Sequence, residues 1–291
     1  MTERALSSAS PSRKNATPIT LSLMRGAFGM LSRTAPEVAS RLAVNLFMKP
    51  RRYARPAREK ELLAEAESFV VQVGADSSVQ AWRWGSGPAV LLVHGWEGRG
   101  SQLAPLVRPL LARGFSVVTF DAPAHGDSDG SRSSLPHFAW AVRRVAESIS
   151  GAYAIVAHSL GCAAATLALR EGLSTQRLVF FSPPLNPSDY VDRFGGILNF
   201  STEVLDRMKL RIEERFLRKW SDYALDETAR QMTTPLLVIH DRDDEETYWS
   251  EGSALAAAWP GARMLTTEGL GHRRILREAG VVEAATKFVA E

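Results

Sequence analysis

The residues most able to do chemistry lie in one pentapeptide, Ala157-His158-Ser159-Leu160-Gly161. It follows a short apolar run and opens an alanine-rich stretch. A strand, a sharp turn and a helix in this order can hold a serine hydroxyl clear of a sheet edge, where it can act as a nucleophile. Small residues on both sides of the serine let the two backbones approach. The simpler alternative is an ordinary serine at a helix N-cap.

A base and an acid that could serve this nucleophile follow two later strand patterns. His272 ends the sequence Gly-Leu-Gly-His, and Asp244 ends the sequence His-Asp-Arg-Asp-Asp. A serine nucleophile needs a histidine to take its proton and a carboxylate to fix the histidine tautomer. Each loop alone could equally be a solvated turn. Because the order Ser159, Asp244, His272 matches the one expected for this architecture, we predict that the three form a catalytic triad.

Two further carboxylates compete with Asp244 for the acid role. Asp241 comes directly after the predicted strand, where its side chain has little room to reach sideways to the histidine loop. Asp244 lies past the turn that follows, where a carboxylate can hydrogen-bond one imidazole nitrogen while the other faces Ser159. We expect Asp244 to be the partner of His272, and we expect Asp241→Asn and Asp243→Asn to cost far less activity.

Two backbone amides are candidates for an oxyanion hole. The sequence His94-Gly95-Trp96 follows an apolar strand, and its glycine permits a tight turn that points the Trp96 N–H into the site. The Leu160 N–H lies at the start of the helix after Ser159, where N–H groups are free. Two donors aimed at one point would stabilise a tetrahedral intermediate.

The alternation of elements predicts an α/β fold. Of the 291 residues, 45% are hydrophobic and 23% are charged, as in ordinary globular proteins. Apolar strand patterns alternate with helical stretches, which indicates a parallel sheet with helices on both faces. The first two strand patterns, at 68–73 and 78–84, are close enough to form an antiparallel hairpin. The predicted helices span residues 102–113, 138–150, 159–171, 248–258 and 274–289.

One interval carries no strand pattern and predicts a helical insertion at residues 185–234. An amphipathic helix with Ser201 as its N-cap fits the i+4 series Val204, Met208, Ile212, Phe216 and Trp220. The insertion also carries six aromatic residues that could roof an apolar pocket or pack the insertion itself: Tyr190, Phe194, Phe200, Phe216, Trp220 and Tyr223.

The N-terminal extension, residues 1–62, is strongly basic. Residues 1–60 hold 12 Lys and Arg against three acids, while the whole chain has a net charge of only +3. We expect disorder at 1–17, then a helix from Pro36 to Pro50, and no role in chemistry for residues 1–35. A solvated extension is the simpler interpretation, and weak contact with an anionic membrane surface is the alternative. We expect no nucleic-acid binding. The single cysteine, Cys162, fits a reducing compartment, so we expect a cytoplasmic protein, with a location at the membrane periphery as the alternative that the basic extension leaves open.

The chain resembles the α/β-hydrolase fold superfamily over residues 65–291. The motifs that carry this resemblance are HGW at 94–96, DAPAHGDS at 121–128, AHSLG at 157–161, HDRDD at 240–244 and GLGH at 269–272. Ala157 departs from the usual first glycine, and Asp241 from the glycine often found there. The resemblance implies an eight-stranded, mostly parallel sheet, a core of residues 63–184 and 235–291, and a cap at 185–234.

The resemblance also implies hydrolysis of an ester, thioester or amide without a cofactor. We therefore predict a serine carboxylesterase that acts on a small-molecule ester with an apolar acyl chain and binds no metal. Thioesterase, lipase, carbon–carbon hydrolase and acyltransferase chemistry remain open, as does a non-catalytic binding protein on the same scaffold. A halide-releasing enzyme is disfavoured because it would need a carboxylate at position 159.

Overall fold

The segments predicted as strands form one eight-stranded sheet in the computed structural model, which describes residues 19–291. The strand order is β1-β2-β4-β3-β5-β6-β7-β8. The first two strands form the predicted antiparallel hairpin at one edge, β2 is antiparallel to β4, and the other neighbours are parallel. The bounds are β1 Glu67–Gly74, β2 Ser77–Trp84, β3 Ala89–Val93, β4 Ser116–Phe120, β5 Ala154–His158, β6 Arg177–Phe181, β7 Leu236–Asp241 and β8 Arg263–Thr267.

Helices cover both faces of this sheet, so β3, β4, β5 and β7 are buried at every residue. On one face pack α5 (Leu135–Ser148), α6 (Leu160–Arg170), α9 (Leu225–Ala229) and α10 (Trp249–Ala258). On the other face pack α4 (Val107–Ala112) and α12 (Ala279–Ala290). The two apolar layers explain why the central strands are continuous apolar runs rather than alternating ones. The predicted α/β-hydrolase fold is confirmed.

Two predicted helices are broken in the structure. The stretch 102–113 begins as a 3-10 helix, Gly100–Leu106, and becomes α-helical only at α4; Pro105 lies inside the 3-10 part. Proline lacks the N–H that an α-helix interior needs. The stretch 274–289 begins at the last residue of α11 (Gly271–Arg274) and continues through a 3-10 turn into α12. The break lies at Glu278, which is extended and whose side chain accepts from Val281 N to begin α12.

The insertion between β6 and β7 is helical, as predicted. It contains α7 (Asp189–Leu198), α8 (Thr202–Phe216), a 3-10 helix (Trp220–Tyr223) and α9. The Ser201 side chain caps α8 by accepting from Val204 N. Leu217 adopts a left-handed conformation (φ 52°) and ends α8. Trp220, the last member of the predicted i+4 series, therefore lies outside that helix.

The N-terminal extension is mostly helical within the described residues. It contains α1 (Ile19–Thr34), which the sequence analysis missed, α2 (Pro36–Phe47) and α3 (Ala57–Ala64). The small face of α2, including Ala39 and Ala43, packs on Met208 of α8. Phe28 of α1 meets Phe200 at a ring distance of 4.8 Å. The extension and the insertion thus share one helical layer. The disorder expected at 1–17 lies outside the described residues.

Arginines of the extension bind core groups, so the segment after α2 is not a solvated arm. The Arg52 guanidinium donates to four carbonyl oxygens of the loop after β4, those of residues 124, 126, 128 and 130. Arg55 forms a buried ion pair with Asp121 and donates to Ser101 Oγ at 2.6 Å. Burial raises the pKa of Asp121, and the Arg55 charge opposes that rise.

Candidate active site

Ser159 occupies a strained turn between β5 and α6. Its backbone has φ 52° and ψ −124°, a region that non-glycine residues rarely adopt. The turn is held because Ser159 N donates to Phe181 O at 2.9 Å. Strain of this kind persists only where the surrounding structure enforces it, and it is common at functional sites. The geometry matches the predicted strand–turn–helix setting of a nucleophile.

Two glycines allow three backbone segments to meet around Ser159. A Cβ at Gly161 would lie 2.6 Å from His94 O and 2.7 Å from Val93 O. A Cβ at Gly95 would lie 2.9 Å from Ser159 Cβ. Neither position can hold a side chain without displacing backbone or the serine. Ala157, the departure from the usual glycine, is buried within regular strand pairing.

His272 and Asp244 are hydrogen-bonded to each other. His272 Nδ1 lies 2.8 Å from Asp244 Oδ2, and both side chains are almost completely buried. With Nδ1–H donating to the carboxylate, the lone pair of Nε2 is free to accept a proton. Burial raises the pKa of Asp244, but the His240 ring at 3.5 Å and hydrogen bonds from His272 and the Thr247 amide outweigh it and hold the pKa well below its usual range. The carboxylate is therefore charged at neutral pH.

The neighbouring carboxylates hold the histidine loop in place. Asp241 accepts hydrogen bonds from Thr267 Oγ1 at 2.6 Å, Leu270 N at 3.1 Å and Gly271 N at 2.9 Å. Asp243 Oδ2 accepts from Gly269 N at 2.8 Å. Asp241 is thus a positioning residue for the segment that carries His272, a role that the sequence analysis did not assign to it.

His158 joins the serine turn to the histidine loop. Its Nε2 lies 2.9 Å from His272 O, and the two imidazole rings are 4.6 Å apart. Since His158 directly precedes Ser159, this contact places the predicted base beside the predicted nucleophile. Within the described residues, no hydrogen bond joins Ser159 Oγ to His272 Nε2. In this structure the hydrogen bond between the acid Asp244 and the base His272 is therefore formed, and the one between His272 and the nucleophile Ser159 is not.

The two predicted oxyanion donors lie at the ends of β3 and β5. Neither Trp96 N nor Leu160 N donates to another group among residues 19–291. The turn after Trp96 is fixed because Glu97, at φ 53°, donates its N–H to His125 Nε2 at 3.1 Å. Arg51 of the N-terminal extension binds the Glu97 carboxylate at 3.1 Å. The extension thus supports the segment next to the Trp96 amide, which the sequence did not reveal.

The insertion is tied to the acid loop by contacts that the sequence did not predict. Tyr190 Oη lies 2.7 Å from Thr247 Oγ1, and Arg193 donates to Glu246 O at 2.6 Å. The insertion's other aromatic residues pack within the helical layer or on the core. Examples are the ring contacts of Phe194 with Phe47 at 5.3 Å and with Phe200 at 5.7 Å. These contacts favour the alternative that the aromatics pack the insertion rather than roof a pocket.

Three buried histidines around the site stay neutral. Burial lowers the pKa of His158 to about 3 and that of His125 to about 4. Burial also holds the pKa of His94 well below its usual range. His94 Nε2 accepts from Ala122 N at 2.9 Å, and His125 Nδ1 lies 3.0 Å from Pro123 O. Their hydrogen bonds are those of structural groups.

Two further kinds of feature, metal-ligand clusters and membrane-spanning helices, are absent from the described part of the chain. Residues 19–291 contain no group of three or more His, Cys, Asp or Glu side chains that could hold a metal ion. Among the same residues, no helix is both long enough and apolar enough to cross a bilayer.

The chain belongs to the alpha/beta hydrolase family, whose sequence model matches residues 90–285. It is 31% identical over 248 residues to the pimeloyl-acyl-carrier-protein methyl ester esterase of Xanthomonas campestris, a match that covers 71% of this chain and 96% of that protein. Distant homologues of the chain are thus carboxylesterases.

Solved structures support the same fold. The Pyrococcus furiosus esterase Pf2001 matches with a TM-score of 0.64 and 19% identity, over 83% of this chain and 98% of that one. The esterase EaEST of Exiguobacterium antarcticum matches with a TM-score of 0.63 and 15% identity, over 77% of this chain and 100% of that one.

The buried histidines predict acid sensitivity. The pKa of His125 is about 4 when folded and about 6.5 when unfolded. The unfolded chain therefore binds the extra proton, and stability is lost as the pH falls from about 6.5 to about 4, at up to about 1.4 kcal/mol per pH unit. His125→Gln keeps an acceptor for Glu97 N but cannot titrate, so its urea-unfolding free energy should fall less steeply over this range.

His137→Gln is the matched control, because His137 is only half-buried and should contribute a smaller slope. Parallel curves for wild type and His125→Gln would contradict the neutral, buried state of His125.

Proposed function

We propose that this chain is a serine carboxylesterase that works through an acyl-serine intermediate. The observation that carries the proposal is the 2.8 Å hydrogen bond between buried His272 and Asp244, beside the strained turn of Ser159. These are the base, acid and nucleophile of a triad in the expected chain order. The esterase relative at 31% identity supports ester hydrolysis over the other serine chemistries.

The mechanism starts with proton transfer from Ser159 to Nε2 of His272 as Oγ attacks the ester carbonyl carbon. Asp244 stabilises the imidazolium while staying ionised. The Trp96 and Leu160 amides donate to the oxyanion of the tetrahedral intermediate. The intermediate collapses, the alcohol leaves with the proton from His272, and the acyl group remains on Ser159. A water that gives its proton to His272 then attacks the acyl-serine, and His272 returns this proton to Ser159 Oγ as the acid is released.

We also propose an apolar acyl chain as the preferred substrate group. The side chains of Trp96 and Leu160, the residues that flank the serine turn, are half-buried and pack against the apolar core, so the surroundings of Ser159 are largely apolar. The name of the Xanthomonas relative gives a pimeloyl group as part of its substrate, a group in which methylenes join two carboxyl-derived ends. Residues 185–234 would form the cap over this chain, with Tyr190 and Arg193 fixing the cap to the acid loop.

Hydrolysis of p-nitrophenyl esters from acetate to dodecanoate tests this function. Each methylene that enters an apolar pocket should raise kcat/KM by up to about fourfold until the pocket is full, since burying one methylene is worth about 0.8 kcal/mol. A steady decline from acetate onward would contradict the apolar chain. A folded protein that hydrolyses none of the esters would instead support the non-catalytic binding protein.

The acid assignment predicts unequal effects for two adjacent substitutions. Asp244→Asn should lower kcat about 10⁴-fold, because the amide no longer favours the productive histidine tautomer. Asp243→Asn is the matched control: the exposed side chain of Asp243 keeps an oxygen that can accept from Gly269 N, so kcat should change little. Steady-state kinetics with one ester measures both. An active Asp244→Asn beside a crippled Asp243→Asn would show that the assignment is wrong by one residue.

A further inference from the structure

Large apolar side chains are exposed mainly on one part of the molecule. Nine of the 13 exposed large hydrophobic residues among those described lie on the N-terminal helices or on the insertion. Six of them lie on α1 and α2: Ile19, Leu23, Met24, Met30, Val38 and Leu42. We call the exposed surface of Ile19, Leu23, Met30, Val38 and Leu42 the α1–α2 face; Met24 lies on another side of α1. The side chains of Leu23 and Met30 are 68% and 66% exposed. A concentration of apolar surface on this scale marks an interaction site.

The exposed side chains of α1 form a regular stripe. Ile19, Leu23 and Met30 stand at positions i, i+4 and i+11, which lie within about 40° of one another around an α-helix. The opposite side of α1 is already packed: Phe28 contacts Phe200, and Leu31 lies against the apolar cluster shared with α2 and α8. Helix α1 is therefore held by contacts on one side, while the apolar side chains of the stripe on the other side are exposed to solvent.

The charge around this face is positive. Residues 19–47 carry Arg25, Arg33 and Arg41 against a single acid, Glu37. Glu37 pairs with Arg41 as well as with Arg211 and Arg207, and Arg25 donates to the carbonyl of Ile197. The 18 residues that precede α1 in the sequence add three basic residues and one acid. A second copy of this chain on the same face would bring arginines against arginines. Anionic lipid headgroups would instead neutralise them.

We propose that the α1–α2 face docks on the surface of an anionic lipid bilayer. Its apolar side chains enter the boundary between headgroups and acyl chains, and Arg33 contacts the headgroups at its rim. This assigns membrane contact to a defined face rather than to the whole basic extension. Arg51, Arg52 and Arg55 take no part in it, because they bind core groups.

Docking of this face also bears on the substrate. The insertion, on which α1 and α2 pack, leaves the sheet at the carboxyl end of β6. The carboxyl end of β5, next to it, carries Ser159. A docked molecule thus keeps its helical layer at the membrane, where apolar esters accumulate. This consequence rests on the proposed function, whereas the docking itself does not.

Vesicle flotation with the full chain tests the proposal. Vesicles of phosphatidylcholine alone are compared with vesicles containing phosphatidylglycerol at roughly 7:3. The double variant Leu23→Gln/Met30→Gln keeps good helix formers at exposed positions, so the fold should be unaffected. We expect wild type to float with the anionic vesicles and the double variant to bind at least about tenfold more weakly. Arg33→Gln should weaken binding about fivefold and reduce its sensitivity to salt.

Val70→Gln is the matched control, because Val70 is 57% exposed on the edge strand β1, away from this face. All variants should hydrolyse a water-soluble ester at the wild-type rate, which separates docking from the proposed activity. Equal flotation of wild type and the double variant would overturn the proposal. A concentration-dependent dimer in analytical ultracentrifugation that the double variant abolishes, without vesicle binding, would assign the face to a second copy instead.

Discussion

The active site depends on the close approach of three backbone segments around Ser159. The end of β3, the strained serine turn and the first residues of α6 meet at distances that a side chain at Gly95 or Gly161 would not permit. This packing fixes the left-handed backbone of Ser159 and brings the end of β3 next to the start of α6. The two proposed oxyanion donors, Trp96 N and Leu160 N, lie on these two segments. Because Gly95 and Gly161 have no side chain, these segments can approach closely, and this approach sets the position of the nucleophile and of the two amides that would stabilise the tetrahedral intermediate.

Hydrogen bonds to carboxylates fix the position of His272 and of the loop that carries it. Asp244 holds the His272 ring, while Asp241 and Asp243 hold the backbone that carries it. Asp244 thus orients the histidine ring, whereas Asp241 and Asp243 hold the loop backbone. The three carboxylates make different contacts and are not interchangeable. The N-terminal extension plays a comparable part on the opposite side, where Arg51 binds Glu97 next to Trp96.

The sequence predicted the sheet well because buried parallel strands are short, apolar and evenly spaced. It also identified Ser159, Asp244 and His272, because turn residues and strand ends mark the edge where they gather. Their catalytic roles stay predictions. Helix α1 was missed because its apolar residues lie on both faces and give no single-sided pattern. The loop-holding role of Asp241 was missed because its partners are backbone amides nearly 30 positions away. The spacing of residues in the sequence does not indicate hydrogen bonds between a side chain and distant backbone amides.

The central claim is that Ser159 is a nucleophile activated by His272. Intact-mass spectrometry after treatment with a fluorophosphonate measures this directly, because the reagent reacts much faster with an activated hydroxyl than with an ordinary one. The structure predicts a single adduct per chain, mapped to Ser159, absent from Ser159→Ala and formed far more slowly by His272→Gln. An adduct on another serine, or no adduct on a protein shown to be folded, would contradict the account.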